Sequence, residues 1–464
     1  LPQQFSLILQ SREERTRLRI EFSKAGKISV SLSLNISGIP KSNDLTKKFF
    51  EQILSELEIF LASERISLSS VDKIQFEDSA GDFYINTVEN QNIDSLKIKK
   101  ITELFEEKHS VGRLIDVDVF DIDSKPVSYG KAKTCFFCGN FSAVECMRTQ
   151  RHTYEELREK IFSKMEFYLS EKRKDSAIKK ISSLAVKSIL YEISLTPKPG
   201  LVNFENSGAH TDMNFFTFLD SSAVLAVYFE NFAKAGYEFS ENPDTALPEI
   251  RLIGLNLEKE MFSATNRINT QKGAIFLMGL SIFSMSYVFS RNENPTLNQL
   301  RNVVREICKN LVVDELKTNR IEKKTHGEIC FEKYGNAGAG ARQEAESGFP
   351  SVFEYALPVF RKYFPFSDKF NKEKINFALQ KVLLTLISVN NDSNILYRKG
   401  TETAENLKQK ARICLETDSD EKYKELCEFC IHENISPGGS ADLLAVTIFL
   451  GNIEKYVLIV NDLQ

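Results

Sequence analysis

The sequence predicts a multidomain chain in which an α+β unit precedes an all-α unit. Three observations carry this. The 464 residues exceed one ordinary domain and leave room for two or three units with a large core. Strict apolar/polar alternation is confined to the stretch before residue 123, whereas beyond residue 153 nearly every long apolar run has helical spacing. We place the units at 1–172 and 173–464, with the charged run EKRKDS at 171–176 as the joint.

In chain order, Ile28, Val30, Leu32, Leu34 and Ile36 alternate with polar residues and predict a half-buried strand. Leu45, Phe49, Phe50, Ile53, Leu54, Leu57 and Leu61 mark an amphipathic helix. Further strands are predicted at VDKIQF from 71, DFYINTV from 82 and RLIDVDVFDI from 113. Thr153 with Glu156 is a capping-box signature opening a helix. Helical periodicity continues through AIKKISSLAVKSILYEISL, FFTFLDSSAVLAVYFENFAKAG and INFALQKVLLTLISV. No repeat and no low-complexity tract interrupts it.

Composition excludes several classes of function. A net charge of −4, from 60 basic and 64 acidic side chains, provides no global field for nucleic acid or an anionic membrane. The opening LPQQFSLILQSREER is charged too early for a secretory signal, and its first residue is Leu, which leaves the natural start open. GAIFLMGLSIFSMSYVFS at 273–290 is at the lower length limit for a membrane span and reads as a buried core helix. Eight scattered cysteines fit a reducing cytoplasm.

In the first unit Asp116 and Asp118 point to one face of a strand while Ile115, Val117 and Val119 point to the other. Two such carboxylates reach one Mg²⁺, as metal-assisted phosphoryl or nucleotidyl transfer requires, and are also what a solvated strand face looks like. Arg113 beside them is a phosphate ligand or a surface arginine. Cys135, Cys138, Cys146 and His152, spaced C-x2-C-x7-C-x5-H, suit tetrahedral Zn²⁺. They also read as reduced cysteines in a turn, with His152 serving phosphate beside Arg148 and Arg151. Cys427 and Cys430 in CEFC read as structural.

LSLNISGIPKS (32–42), HSVGRLIDVDVFD (109–121) and CFFCGNFSAVECMRTQRH (135–152) together resemble the apo-citrate lyase phosphoribosyl-dephospho-CoA transferases over residues 1 to about 170. The resemblance implies a nucleotidyltransferase-like α+β domain. Such a domain moves a triphosphoribosyl-dephospho-CoA group onto a serine of the citrate lyase acyl carrier protein, with release of pyrophosphate. It implies Mg²⁺ on Asp116 and Asp118, and phosphate contacts from Asn35, Lys41 and Arg113, with Arg148, Arg151 and His152 as further candidates. Ser37 and Ser110 stand where the family has prolines, in NIPGP and HPLGR; neither change removes a charge.

The second unit carries TPKPGLVNFENSGAHTDM (196–213), NTQKGAIF (269–276), THGEICFEKYGNAGAGARQEAESGFP (325–350), NDSNILYRKG (391–400) and ISPGGSADLLA (435–445). Gly273, Gly338 and Gly340, and Gly438 and Gly439 each precede or open a helical run, where free N–H groups suit phosphate. No G-x4-G-K-[ST] segment is present, which excludes a P-loop. Interleaved with Lys198, Lys272, Arg342 and Arg398, the glycine turns favour a polyphosphate ligand.

These five segments, over about 175–464, are similar to the triphosphoribosyl-dephospho-CoA synthases, which join ATP to 3′-dephospho-CoA and release adenine. The resemblance implies a triphosphate cage of Lys198, Lys272 and Arg342, and Mg²⁺ shared among Asp212, Glu344 and Asp442. It makes His210 the general base with Asp212 as the alternative, and His326 and Asn394 residues that orient ribose or base. Asn206, Arg398 and Ser440 complete the substrate-binding candidates. Asp212 also suits a helix cap, Glu344 a solvated helix face and Asp442 a first-turn acid. Gln271 replaces the usual His of NTHKGAIF, and Ser393 and Lys399 depart from the family form around Asp392, Asn394 and Arg398.

The reading is thus a bifunctional cytoplasmic enzyme whose second unit makes a prosthetic-group precursor and whose first attaches it to the citrate lyase carrier protein. Two rivals are an equivalent pair serving the carrier protein of malonate decarboxylase, and a first unit that is only a zinc-dependent carrier-docking module.

Overall fold

The computed structural model describes residues 2–24, 26–90, 93–128, 134–292, 294–317, 326–367 and 371–462. It divides into units Leu1–Arg173 and Lys174–Gln464.

In the first unit, α1 (Pro2–Ser23), β1 (Ser29–Leu34), α2 (Asp44–Ser63), β2 (Leu68–Asp78), β3 (Gly81–Val88), α3 (Ser95–Lys108) and β4 (Ile115–Phe120) precede α4 (Ala143–Arg148) and α5 (Tyr154–Ser194). The four strands form an antiparallel sheet of order β2-β3-β1-β4. All four predicted strands and the α2 helix are present. Asn43 opens α2 with a capping box to Thr46, and the residues of its predicted apolar face from Phe49 to Leu61 are buried. Against them pack Val30, Leu32, Val117 and Val119 of the sheet with Ile161 and Met165 of α5. The other sheet face, with Ser29, Ser31 and Phe83, meets α1. Arg15 pairs with Asp78 at 2.6 Å, and the Arg19 guanidinium lies 5.0 Å from the centre of the Phe83 ring.

The division between the units falls inside α5. The run EKRKDS, read as a joint, is helical, because Glu, Lys and Arg are good helix formers and their charge alone marks only an exposed surface.

In the second unit the helices after α5 are α6 (Phe215–Glu238), α7 (Leu247–Ala264), α8 (Lys272–Arg291), α9 (Leu297–Ile307), α10 (Leu311–Leu316), α11 (His326–Tyr334), α12 (Ala341–Glu346), α13 (Leu357–Tyr363), α14 (Lys372–Val389), α15 (Ser393–Thr417), α16 (Asp420–His432) and α17 (Gly438–Asp462). The predicted all-α character holds for the described residues. α8 is the one described helix long and apolar enough to cross a membrane, and 78% of its apolar window is buried within the protein. It is the axis of a core to which α6, α14 and α17 contribute Phe229, Leu383 and Phe449. Two glycines let α6 and α8 approach closely: a Cβ on Gly236 would stand 2.2 Å from the Phe283 carbonyl oxygen, and one on Gly279 2.8 Å from the Phe232 ring. Cys427 and Cys430 lie on α16 with thiols pushed upward by burial, Cys427 to about 12, consistent with a structural role.

Because Phe283 meets Gly236 through backbone, no rotamer change relieves a methyl group there. Gly236→Ala should lower the unfolding free energy by roughly 1–3 kcal/mol in urea denaturation. Gly254→Ala on α7, where the nearest atom to a new Cβ is 3.9 Å away, should be neutral or slightly stabilising.

Candidate active site

The five polar segments of the second unit meet at one cavity of about 690 Å³, within the range of small-molecule sites. Its walls include His210 and Asp212, Gln271 to Ala274, Gly340 and Glu344, Asp392 to Asn394 with Arg398, and Gly438, Gly439 and Asp442. The first turns of α8, α15 and α17 therefore open on the same space, and helix N-termini favour negative charge.

Part of that demand is met by the protein's own carboxylates. Asp392 caps its own helix by accepting from Asn394 N–H at 3.0 Å, and its other oxygen accepts from Gly439 and Ser440 N–H of α17 at 2.8 and 3.3 Å. A Cβ on Gly439 would stand 3.1 Å from that oxygen, so glycine here serves approach by a carboxylate of the chain itself. Asp442 does the same for α8: it accepts from Ala274 N–H, and its Oδ2 lies 1.9 Å from where a Gly273 Cβ would be. Asp442 is half-buried on the cavity wall. Burial, then the neighbouring Glu192 and Asp392, push its carboxyl well above the ordinary range, and burial likewise raises Asp392 and Glu344.

Glu192, absent from the predicted set, lines the cavity from the end of α5. It holds Lys198, whose ammonium is 2.6 Å from the Glu192 carboxylate and 3.0 Å from its carbonyl, with 2% of the side chain exposed. The predicted phosphate contact of Lys198 is thus placed differently: the lysine is in the wall, but its charge is directed at Glu192. Sequence spacing hides this pair, because the chain leaves the helix after Ser194 and doubles back.

His210 hydrogen-bonds through Nε2 to Ser436 Oγ at 2.8 Å, and its Nδ1 stands 3.8 Å from Asp212. Burial lowers its pKa, outweighing Asp212, which raises it. The cap of α6 is Asn214, with a capping box to Thr217, so Asp212 is not that cap; it lies 61% exposed on the cavity wall. Lys272 lines the cavity while paired with Glu258 at 2.8 Å. Gln271, standing for the family's His, is buried and accepts from Ser221 Oγ at 2.5 Å.

Three predicted residues are placed elsewhere. Arg342 turns away, because α12 presents Glu344 to the cavity and the residue two before it to α10, where Arg342 meets Glu315 at 2.6 Å. Asn206 accepts from Gly208 N–H at 2.9 Å and shapes the loop. Ser440 is buried behind the wall, 3.2 Å from Asn390. Asn394 and Arg398 line the cavity; the side chain of His326 lies outside the described residues.

In the first unit Asp116 and Asp118 share the face opposite the apolar core, as expected. Asp118 is 2.8 Å from Arg19 Nη2 of α1, a partner the sequence does not announce. The register pairs Leu34 with Ile115, which brings Asn35 beside the start of β4, where its side chain donates to the Ile115 carbonyl at 3.4 Å. Arg113 donates through Nη2 to the Thr134 carbonyl, and its buried Nε has no hydrogen-bond partner among the described residues. Lys41 donates to the Ile36 carbonyl. Burial, then Arg12 and Arg158, pull its pKa down to about 8. Arg158 donates to the Ser37 and Pro40 carbonyls at 3.1 and 2.8 Å, so the Lys41 ammonium and one guanidinium group serve the same turn. Arg148 is exposed at the end of α4, and Arg151 stacks 3.7 Å from the Phe141 ring centre.

Cys135, Cys138, Cys146 and His152 converge: their ligand atoms all lie within 4.8 Å of one another. The Cys138 thiol is drawn down to about 6, first by the Asn140 N–H and then by His152. Cys146 is pushed up to about 12 by burial and by its sulfur neighbours.

Comparison with known proteins finds a matching family model for each unit. Residues 178–459 match the family model described as ATP:dephospho-CoA triphosphoribosyl transferase, and residues 3–168 that of apo-citrate lyase phosphoribosyl-dephospho-CoA transferase. Protein CitXG of Haemophilus influenzae is 31% identical over 95% of this chain and 94% of its own. Protein CitXG of Leuconostoc mesenteroides subsp. cremoris is 29% identical over 96% of each. The 2-(5''-triphosphoribosyl)-3'-dephosphocoenzyme-A synthase of Escherichia fergusonii is 36% identical over 60% of this chain and 92% of its own.

The raised carboxyl of Asp442 makes a test. The folded unit keeps a proton that the unfolded chain releases, so stability falls as pH rises from the ordinary carboxylate range through the raised value. Asp442→Asn should flatten that fall and stabilise the ligand-free protein at neutral pH by on the order of 1 kcal/mol, read from urea denaturation across the pH range.

Proposed function

The chain belongs to the ATP:dephospho-CoA triphosphoribosyl transferase family, joined to an apo-citrate lyase phosphoribosyl-dephospho-CoA transferase unit, and from that premise we propose how its residues divide the work. The single observation that carries the reading is the convergence of five separate polar segments of the second unit on one cavity.

The second unit makes 2′-(5″-triphosphoribosyl)-3′-dephospho-CoA. A ribose hydroxyl of dephospho-CoA forms a bond to the anomeric carbon of ATP, and the bond to adenine breaks. Adenine leaves with that electron pair and takes a proton, and the triphosphate stays on the sugar. His210 is the base. Its lowered pKa keeps the imidazole neutral, the bond to Ser436 holds the ring, and Nδ1 takes the hydroxyl proton beside the Asp212 carboxylate, which stabilises the imidazolium formed. Lys272, Arg398 and the α8 N-terminus hold the triphosphate.

Glu192, Asp392 and Asp442 share the cavity wall with the buried Lys198, and this set of hard oxygen donors fits Mg²⁺. Asp442, with Glu344 and Asp212, would hold the cation, which would offset triphosphate charge.

The first unit passes the product to a serine of the citrate lyase acyl carrier protein. The serine oxygen forms a bond to the α-phosphorus, the bond to the β-phosphate oxygen breaks, and pyrophosphate leaves. Asn35, Lys41 and Arg113 bind phosphates. Asp116 and Asp118 fit Mg²⁺ by donor type, with Asp118 shared by Arg19. The Cys135, Cys138, Cys146 and His152 set has soft donors and suits Zn²⁺ instead. A cytoplasmic location fits the proposed substrates, ATP and dephospho-CoA.

Purified protein given ATP, dephospho-CoA and Mg²⁺ should release adenine, measured by chromatography; none above a no-enzyme blank contradicts the assignment. His210→Ala should lower kcat for adenine release by roughly 10²–10⁴-fold. The acid limb of the wild-type pH profile should lie below the ordinary histidine value of 6.5 and be absent from the variant. Asp116→Asn with Asp118→Asn should abolish pyrophosphate release and carrier modification while adenine release continues; retained carrier modification contradicts the role of that pair.

A further inference from the structure

The Cys135–His152 segment is built as a metal knuckle. Cys135 N–H donates to the Phe141 carbonyl at 2.6 Å and Gly139 N–H to the Cys135 carbonyl at 2.9 Å, with Gly139 at φ +69° turning the chain between the first two cysteines and the third. The N–H groups of Asn140 and Phe141 point at the Cys138 sulfur, the arrangement that supports a thiolate. Cys138 and Cys146 sulfurs are 3.6 Å apart, too far for a bond. The separation is close to the edge of about 3.8 Å of a tetrahedron with Zn–S distances of about 2.3 Å. His152 brings a buried Nε2 that has no hydrogen-bond partner among the described residues, packed against the Phe137 ring at 4.4 Å. Cys135 and Cys146 are buried. Four protein donors fill the tetrahedron, which leaves no open position for substrate and marks a structural centre.

The segment has one connection of chemical interest. Thr134, the residue before the first cysteine, accepts through its carbonyl from Arg113 Nη2 and bridges to Ser142 across the turn. Arg113 stands just before the strand of Asp116 and Asp118, and its buried Nε has no hydrogen-bond partner among the described residues. We infer that Zn²⁺ held by Cys135, Cys138, Cys146 and His152 is a structural centre that fixes the Thr134 carbonyl and, through it, positions Arg113 for the phosphate chain of the first unit's substrate. The inference rests on the zinc reading of this cluster.

The bifunctional chain contains its own control. Full-length protein should carry one zinc per chain by elemental analysis, and Co²⁺ in its place should show thiolate charge-transfer and tetrahedral d–d bands. Both should be lost in Cys138→Ser with Cys146→Ser. Stripping zinc with a chelator should raise the KM of the triphosphoribosyl donor in pyrophosphate release at least about 10-fold, restored by adding Zn²⁺, while adenine release in the same sample is unchanged. Arg113→Ala should keep its zinc, show a similar rise in KM, and lose little more on stripping. Absence of zinc and of the cobalt bands overturns both the inference and the zinc reading. Zinc present, with stripping as costly in Arg113→Ala as in wild type, overturns the positioning of Arg113 and leaves the zinc reading intact.

Discussion

The second unit depends on one buried carboxylate. Asp392 accepts hydrogen bonds from the first turns of two helices, α15 and α17, and so locks the segment at 391–400 to the one at 435–445 across the floor of the cavity. Without it the N–H groups at both helix starts lose their partner away from bulk water, an arrangement proteins rarely tolerate. The glycine at 439 follows from the same constraint, since a side chain there would press on the Asp392 carboxylate. Asp442, one turn further along α17, repeats the device at the start of α8.

The arrangement sets two electrostatic tendencies against each other. Helix N-termini attract anions, yet the acids placed among them repel one another, which is why burial and neighbouring charge hold Asp442 well above its ordinary range. A polyphosphate with its divalent cation satisfies both tendencies together. The ligand-free protein carries the cost as strain in its acids, a familiar exchange of stability for function.

Legibility in the sequence followed the range over which each signal acts. Alternation at 28–36 and 115–119 reports a local backbone period, so strands and their apolar face were readable, as were the capping box at Thr153 and the helical run of α8. The polar segments of the second unit were readable because prolines, glycines and charges between apolar helices have no packing role. Long-range pairing was not readable. Arg19 reaches Asp118 from a helix whose apolar pattern is weak, Glu192 looks like an ordinary polar position on a helix, and the direction of Arg342 is set by its contact with Glu315. The conformation of the charged run at 171–176 was not readable either, since charge looks the same on a linker and on an exposed helix.

The two units are chemically linked through the triphosphate, which the second retains and the first cleaves. The most direct measurement follows the terminal phosphate of ATP. With γ-labelled ATP, dephospho-CoA and Mg²⁺, the label should pass into a dephospho-CoA product as adenine appears, and should enter pyrophosphate only after apo carrier protein is added. Label released as phosphate or pyrophosphate before the carrier is present, or pyrophosphate formed without prior loss of adenine, would contradict the account.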